Sequence, residues 1–361
     1  MRSATAIVLT LGLSAVLLAQ VAPANGTLLV LAKSDLTLSV VDPTTLKVVG
    51  QVPSGPDPHE VIASTDGRTA YISNYGGGSL NTITVVDLVE RKALPPIDLG
   101  ALRGPHGLTF VDGKLWLTAE GAKVVARYDP ATREIDLVLG TGQNRTHMIF
   151  VSGDGKRVVT SNVSSATMTI LDLVTSGRGR GPGAPAGGGN RGTPPGGPPP
   201  GAPQGGRGGG QTNWDATVIG VGRGVEGFDV SPDGKEIWAA NAQDGTISVI
   251  DASARTVSQT IQANVNGANR LKFTPDGTKV LVSSLGGPEL AVFDVAKHQA
   301  LKRIPIGKGA AGIEVQPDGA RAYVACTPDN YIAIIDLKTL EVAARIEAGR
   351  QPDGMAWAVR R

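Results

Sequence analysis

Residues Val225-Glu226-Gly227-Phe228-Asp229-Val230-Ser231-Pro232-Asp233-Gly234-Lys235-Glu236-Ile237-Trp238-Ala239-Ala240-Asn241 decide the fold. Gly227 to Ser231 reads as a short strand, Pro232-Asp233-Gly234 as a tight turn, and Glu236 to Asn241 as a second strand, because Asp-Gly tolerates the positive φ a hairpin turn needs. Ala242-Gln243-Asp244-Gly245 then turns the chain into Thr246 to Ile250, which alternates with period 2, and Asp251 caps a further turn into Thr256 to Ile261. Residues 224 to 263 thus predict four consecutive antiparallel strands. One such sheet leaves both faces uncovered and must stack against others like it.

The rest of the chain supplies them. Asp-Gly pairs at Asp66, Asp112, Asp154, Asp233, Asp276 and Asp318 recur at intervals of 46, 42, 79, 43 and 42 residues. A second ladder of aspartates after apolar runs, Asp42, Asp87, Asp129, Asp172, Asp251, Asp294 and Asp336, counts seven units. These thirteen acids are read as turn caps that accept nearby backbone N–H groups. The long interval in each ladder holds one Gly/Pro/Arg-rich segment, residues 175 to 213, expected as a disordered insertion between the third and fourth strands of blade 4, on the face away from the histidines discussed below. The first unit, Thr27 to Val52, lacks its leading strand, and Gln351 to Trp357 begins a repeat that stops. The sequence therefore predicts an all-β, seven-bladed propeller over residues 25–361, its ring closed by pairing the C-terminal strand with the N-terminal three.

Tyr71-Ile72-Ser73-Asn74, Val159-Thr160-Ser161-Asn162 and Trp238-Ala239-Ala240-Asn241, with the Ser-Pro-Asp-Gly and Val-Ile-Asp elements around them, resemble the signature of YVTN-type propeller repeats. The resemblance covers the chain apart from its leader and insertion, weakening to Trp116-Leu117-Thr118-Ala119 in blade 3 and losing its asparagine to Cys326 in blade 7. It implies fold rather than chemistry, since similar propellers serve as surface-layer proteins, DNA binders, lactonases, lyases and redox-enzyme subunits.

Met1-Arg2, the apolar run Ala6 to Ala19 and Ala22-Pro23-Ala24 form the n-region, h-region and cleavage site of a Sec-type signal, residues 1–24, so a periplasmic or secreted protein without a membrane span is expected. Cys326 is the one cysteine, which rules out an internal disulfide. The net charge of +2 includes Arg2 and the insertion's Arg178, Arg180, Arg191 and Arg207; setting these five cations aside leaves −3 for the folded body. A mildly acidic body does not favour nucleic acid as a partner of the fold itself. Cys-x-x-Cys-His, Walker, Rossmann and Gly-x-Ser-x-Gly patterns are absent.

Aligning the repeats places His59, His106, His147, Glu226, Asn269, Ala311 and Asp353 at one equivalent position ahead of each innermost strand, at the mouth of the central channel. Three of the four histidines therefore occupy successive blades, and with Glu226 they are the donor types of an open zinc, non-haem iron or copper site. The alternative is a repeat consensus copied by duplication. Loops on the same face bring Asn74, Tyr75, Glu120, Asn162, Asn241, Ser284 and Cys326 toward the mouth, while Asp229, Lys272 and Glu314 form an acid, base, acid arc on the channel wall whose bland role is mutual neutralisation. His298 reads as a surface residue.

Three functions stay open: an exported scaffold presenting its mouth to an unidentified protein or small-molecule ligand, a lactonase- or lyase-like enzyme with one divalent metal ion, and a binder of single-stranded DNA or another polyanion. The first is the leading expectation, because no decisive catalytic set is present.

Overall fold

The structure, a computed structural model, describes residues 26–176 and 211–359; residues 1–24, expected as a signal, and the insertion's residues 177–210 lie outside the described residues. The repeat quoted above forms inner strand Val225–Val230, then Glu236–Asn241, Thr246–Asp251 and Thr256–Ile261, in antiparallel order. Its first turn is built as the composition requires: Gly234 takes φ 72°, Ser231 Oγ donates to Asp233 Oδ1 at 2.7 Å, and that carboxylate accepts the Lys235 N–H at 3.1 Å. Asp251 in turn accepts the N–H groups of Ser253 and Ala254 at 2.8 and 2.7 Å.

Eleven of the thirteen predicted caps make such bonds, and two differ. Asp112 and Gly113, both at positive φ, form a two-residue hairpin joining Val111 to Lys114, so Asp112 serves by its conformation. Asp172 lies within the ten-residue strand Thr167–Ser176 and ion-pairs with Arg157 and Arg255 at 2.7 and 2.6 Å. That strand and its partner Gln211–Gly220 carry the blade-4 ladder into residues assigned above to the insertion, because Thr175 pairs with Thr212 and Val174 with Asn213.

The described residues make seven four-stranded antiparallel sheets. The last strand, Pro352–Val359, pairs with Gly26–Ala32, which continues through Thr37–Asp42 to Lys47–Pro53, so blade 1 joins both ends of the described chain and closes the ring. An apolar cluster fills each of the seven interfaces between neighbouring blades. Between blades 5 and 6, for instance, Trp238, Val249, Phe273 and Val282 are buried together. No helix among the described residues is long and apolar enough to cross a membrane.

One irregularity positions the site. Every inner strand is bulged near its start: Pro58 pairs with Asn74 and Val61 with Ile72, so one strand has an extra residue, and the same shift recurs in the other six blades. A bulge re-aims the side chain beside it, here the second strand residue, which in each blade is the aligned mouth position. Hydroxyls from the second strand fix the bulges. Thr118 Oγ1 accepts the Gly107 N–H at 2.9 Å and donates to the His147 carbonyl of the next blade at 2.5 Å; Ser161 and Ser283 make the same link to Glu226 and Ala311 at 2.8 and 2.6 Å. A Cβ on Gly107 would meet the His147 carbonyl at 2.6 Å, so glycine permits this approach between blades 3 and 4.

Candidate metal and ligand site at the channel mouth

The bulged positions bring His59, His106, His147, Glu226, Asn269, Ala311 and Asp353 to the wall of one cavity of about 290 Å³, as the alignment predicts. Lys33, Tyr75, Arg145, Arg270 and Gln351 complete much of its lining.

His147 is the centre of the polar network. It is 1% exposed, with Nδ1 against Glu120 Oε1 and Nε2 3.2 Å from Glu226 Oε1, while Tyr75 donates its hydroxyl to Glu120 Oε2 at 2.6 Å. Burial alone lowers an imidazole pKa, but the two carboxylates outweigh it, so His147 sits above its ordinary value. Burial raises Glu226 and Glu120 in turn, and hydrogen bonding to His147 overcomes that, holding Glu120 below its ordinary range and Glu226 at about 2. The Tyr75 phenol is pushed up to about 12 by burial and by Glu120.

His106 is the opposite case. Its ring lies 3.8 Å from that of His147, it is 2% exposed, and its Nδ1 is buried with no hydrogen-bond partner. Burial, with the charge of His147 adding to it, holds its pKa well below the ordinary value, so it presents a neutral imidazole. Donor atoms of His106, Glu120 and His147 all lie within 4.8 Å of one another. Two imidazoles that line the cavity and a buried carboxylate beside them are a donor set suited to zinc or another divalent transition metal. Glu226 and Tyr75 stand behind this set, each bonded to one of its members, as outer groups that orient ligands do.

This cluster differs from the predicted His59, His106, His147 and Glu226. His59 packs beside His106, ring centroids 5.1 Å apart, but its Nε2 is engaged elsewhere: Lys33 Nζ lies 2.7 Å from it, with Asp353 and Asp57 3.3 and 3.8 Å from the same ammonium. Burial first and Lys33 second lower the His59 pKa. Glu226 contacts the far nitrogen of His147, and Glu120 takes its place among the converging donors.

Of the other residues singled out in the sequence, the asparagines are placed differently from expectation, whereas Cys326 is the small buried strand-end residue its position suggests. Asn74, Asn162 and Asn241 are buried within their blades rather than surrounding the mouth, bonded chiefly to third-strand hydroxyls: Asn162 Nδ2 reaches Thr169 Oγ1 at 2.9 Å and Asn241 Nδ2 reaches Ser248 Oγ at 3.0 Å. Ser284 donates to the Asn266 carbonyl at 2.7 Å, and Cys326 is buried with its thiol pushed up to about 11 by burial. His298 packs on Trp238 and bonds to Gln259, away from the mouth lining.

Further in, the channel is lined by charged and apolar side chains of the inner strands. Glu60 and Arg270, from blades 2 and 6, are buried and ion-paired across it, and beneath them lies a space of about 220 Å³ lined by Asp229, Lys272 and Glu314 on one side and by Ile62, Phe150 and Trp357 among others. The charged arc is part of the inter-blade bonding, since Asp229 Oδ2 accepts the Phe273 N–H at 3.0 Å and Glu314 accepts that of Trp357. Lys272 is held protonated by Asp229, with Glu314 adding to the effect.

Sequence reasoning missed Arg145, Asp57 and Gln351, which share the position two residues before the mouth ring. Gly104, Gly224, Gly267 and Gly309 occupy that position in the other blades, so side chains there were a readable departure.

No family model matches the chain, and no curated protein sequence does. Solved structures agree on the fold. A functionally unknown protein from Desulfotomaculum acetoxidans DSM 771 superposes with TM-score 0.68 at 12% identity, covering 90% of this chain and 98% of its own. Kuenenia stuttgartiensis hydrazine synthase gives 0.65 at 16%, covering 87% and 93%. A candidate 6-phosphogluconolactonase from Bacteroides uniformis ATCC 8492 gives 0.67 at 16%, covering 92% and 99%. Such identities establish a shared β-propeller architecture and no shared activity.

Proposed function

We propose that the channel mouth holds one divalent metal ion and acts on a small ligand bound in the cavity above it, making the protein an exported metal-dependent propeller enzyme of hydrolase or lyase type. The carrying observation is the convergence of Glu120 and His147 with His106, a buried imidazole whose Nδ1 has no partner. A buried polar nitrogen left without a partner costs on the order of 1–3 kcal/mol, and a cation is one partner that offsets it. His106, Glu120 and His147 would hold the ion, which when bound supplies Lewis-acid polarisation of an oxygen and lowers the pKa of water. Glu226 keeps the far nitrogen of His147 protonated and its ring oriented; Tyr75 fixes Glu120; and Glu60 with Arg270 floors the cavity so that ligand arrives from the mouth. The kinship with YVTN-type repeats belongs to this reading, supported by the motifs alone.

A second reading, a binding scaffold with no chemistry of its own, is favoured by one observation. Both nitrogens of His147 already face carboxylates, so a proton satisfies that residue without a metal. Calorimetric titration of the chelator-treated protein with zinc separates the two. Saturable uptake of one equivalent, with release of protons and loss of uptake in His106→Ala, supports the metal site; absence of uptake by folded protein leaves the scaffold.

A further inference from the structure

The seven residues two places before the mouth ring all lie in the left-handed region: Asp57, Gly104, Arg145, Gly224, Gly267, Gly309 and Gln351, at φ between 41° and 71°. Four are glycine, which adopts this conformation freely; the other three do so against a steric penalty. Left-handed residues also occur in the outer turns of this chain, at Leu46, Arg91 and Arg255 for example, so the conformation by itself assigns nothing. The exceptions are set apart by where their side chains go. Arg145 and Gln351 line the mouth cavity, and Asp57 pairs with Lys33 and His59 on its rim.

Three cationic side chains line the cavity, and Arg145 is the most exposed and the most loosely paired of them. Lys33 is held by His59, Asp353 and Asp57; Arg270 is paired with Glu60 and lies 3.3 Å from the Asn269 carbonyl and amide oxygens. Arg145 is 41% exposed, and its guanidinium stands 3.7 Å from Glu120 and 3.9 Å from Glu226, distances of ion pairs rather than hydrogen bonds. It is thus tethered beside the metal-donor cluster, Nε toward Glu120 and Nη2 toward Glu226, and lines the cavity with donors that no closer partner saturates.

We infer that Arg145 captures an anionic group and that the ligand of the mouth is a small organic acid, its carboxylate on Arg145 and a neighbouring oxygen directed at His106, Glu120 and His147. Glu120 and Glu226 repel an anion, so capture depends on the cation that the proposed function places beside them, and the inference rests on that reading. Guanidinium and carboxylate match two-point geometry, which explains an arginine at a position where the backbone favours glycine.

The test uses the protein lacking residues 1–24, loaded with cobalt(II), whose visible bands report the ion, and lactate and its neutral counterpart lactamide as probes. Lactate is expected to shift the bands and to bind more tightly than lactamide. Arg145→Gln should keep one cobalt and the parent spectrum while weakening lactate on the order of 10- to 100-fold, with Arg145→Lys recovering part of the loss. Equal lactate affinity in Arg145→Gln, or equal binding of lactate and lactamide, overturns the inference and leaves the metal site standing. Failure of the parent to take up cobalt removes the metal reading and this inference together.

Discussion

His106 and Glu314 are the two residues whose environments make the sharpest predictions. The orphaned Nδ1 of His106 means that His106→Leu, similar in bulk and without the polar nitrogen, should leave metal-free stability unchanged or raise it by about 1 kcal/mol. Zinc uptake should vanish in the same variant. Urea denaturation with chelator present measures the first, and a marked loss of stability there would mean that His106 is structural. Glu314 lies in the channel facing Lys272 and Asp229, with Glu60 nearby, and burial, opposed by Lys272, raises its pKa to about 7. A carboxyl raised above its unfolded value binds an extra proton when folded, so its contribution is complete below about pH 4.5 and is lost as pH rises through about 7. Glu314→Gln should therefore be near neutral at pH 5 and stabilising by on the order of 1–3 kcal/mol at pH 8, read as a shift in the urea midpoint. The same shift at both pH values would rule out this titration.

At the scale of the element, the bulge and its hydroxyl link hold the site. Thr118→Val deprives both the Gly107 N–H and the His147 carbonyl of their partner, and a cost of about 2–3 kcal/mol is expected together with weakened metal binding. Ser283→Ala breaks the equivalent link to Ala311, where no metal donor follows, and should cost stability alone. Equal effects of the two on metal affinity would contradict the positioning role given to the bulge. This link also explains what a reader of the sequence can and cannot see. The serine or threonine of the Tyr-Val-Thr-Asn-like signature is visible, and its strand position follows from period 2, but its bond to the next blade is a contact between repeats that no single repeat contains. The misplacement of Asn74, Asn162 and Asn241 has a different cause: their side chains are taken up by third-strand hydroxyls of their own blade, which the antiparallel pairing of the second and third strands brings alongside. Glu120 was recognised as a mouth residue but not as a donor, because its approach to His147 depends on how two blades pack.

For the whole molecule, seven similar sheets and seven apolar interfaces put the ring within reach of sequence, since each periodic aspartate marks a turn by local chemistry and the incomplete first and last repeats complement each other. Ring closure by Pro352–Val359 predicts that ending the chain after Gly349 exposes the inner edge of Gly26–Ala32 and strips Met355 from the Leu28 and Val30 cluster. That truncated protein should lose cooperative unfolding and aggregate, as followed by light scattering during a thermal ramp; a soluble monomer with the parent's melting temperature would show the ring to be stable while open. Chemistry was less legible than architecture, because the ring gathers one residue per blade and only the closed molecule tells which side chains converge. The central claim is that they converge on a metal. Its most direct test is the metal content of the protein lacking residues 1–24, purified without chelators or a histidine tag, beside a His106→Ala, His147→Ala double variant shown to be folded. About one equivalent of a transition metal in the parent and none in the variant is the predicted result; no metal in the parent, even after incubation with zinc, iron or copper, would contradict it.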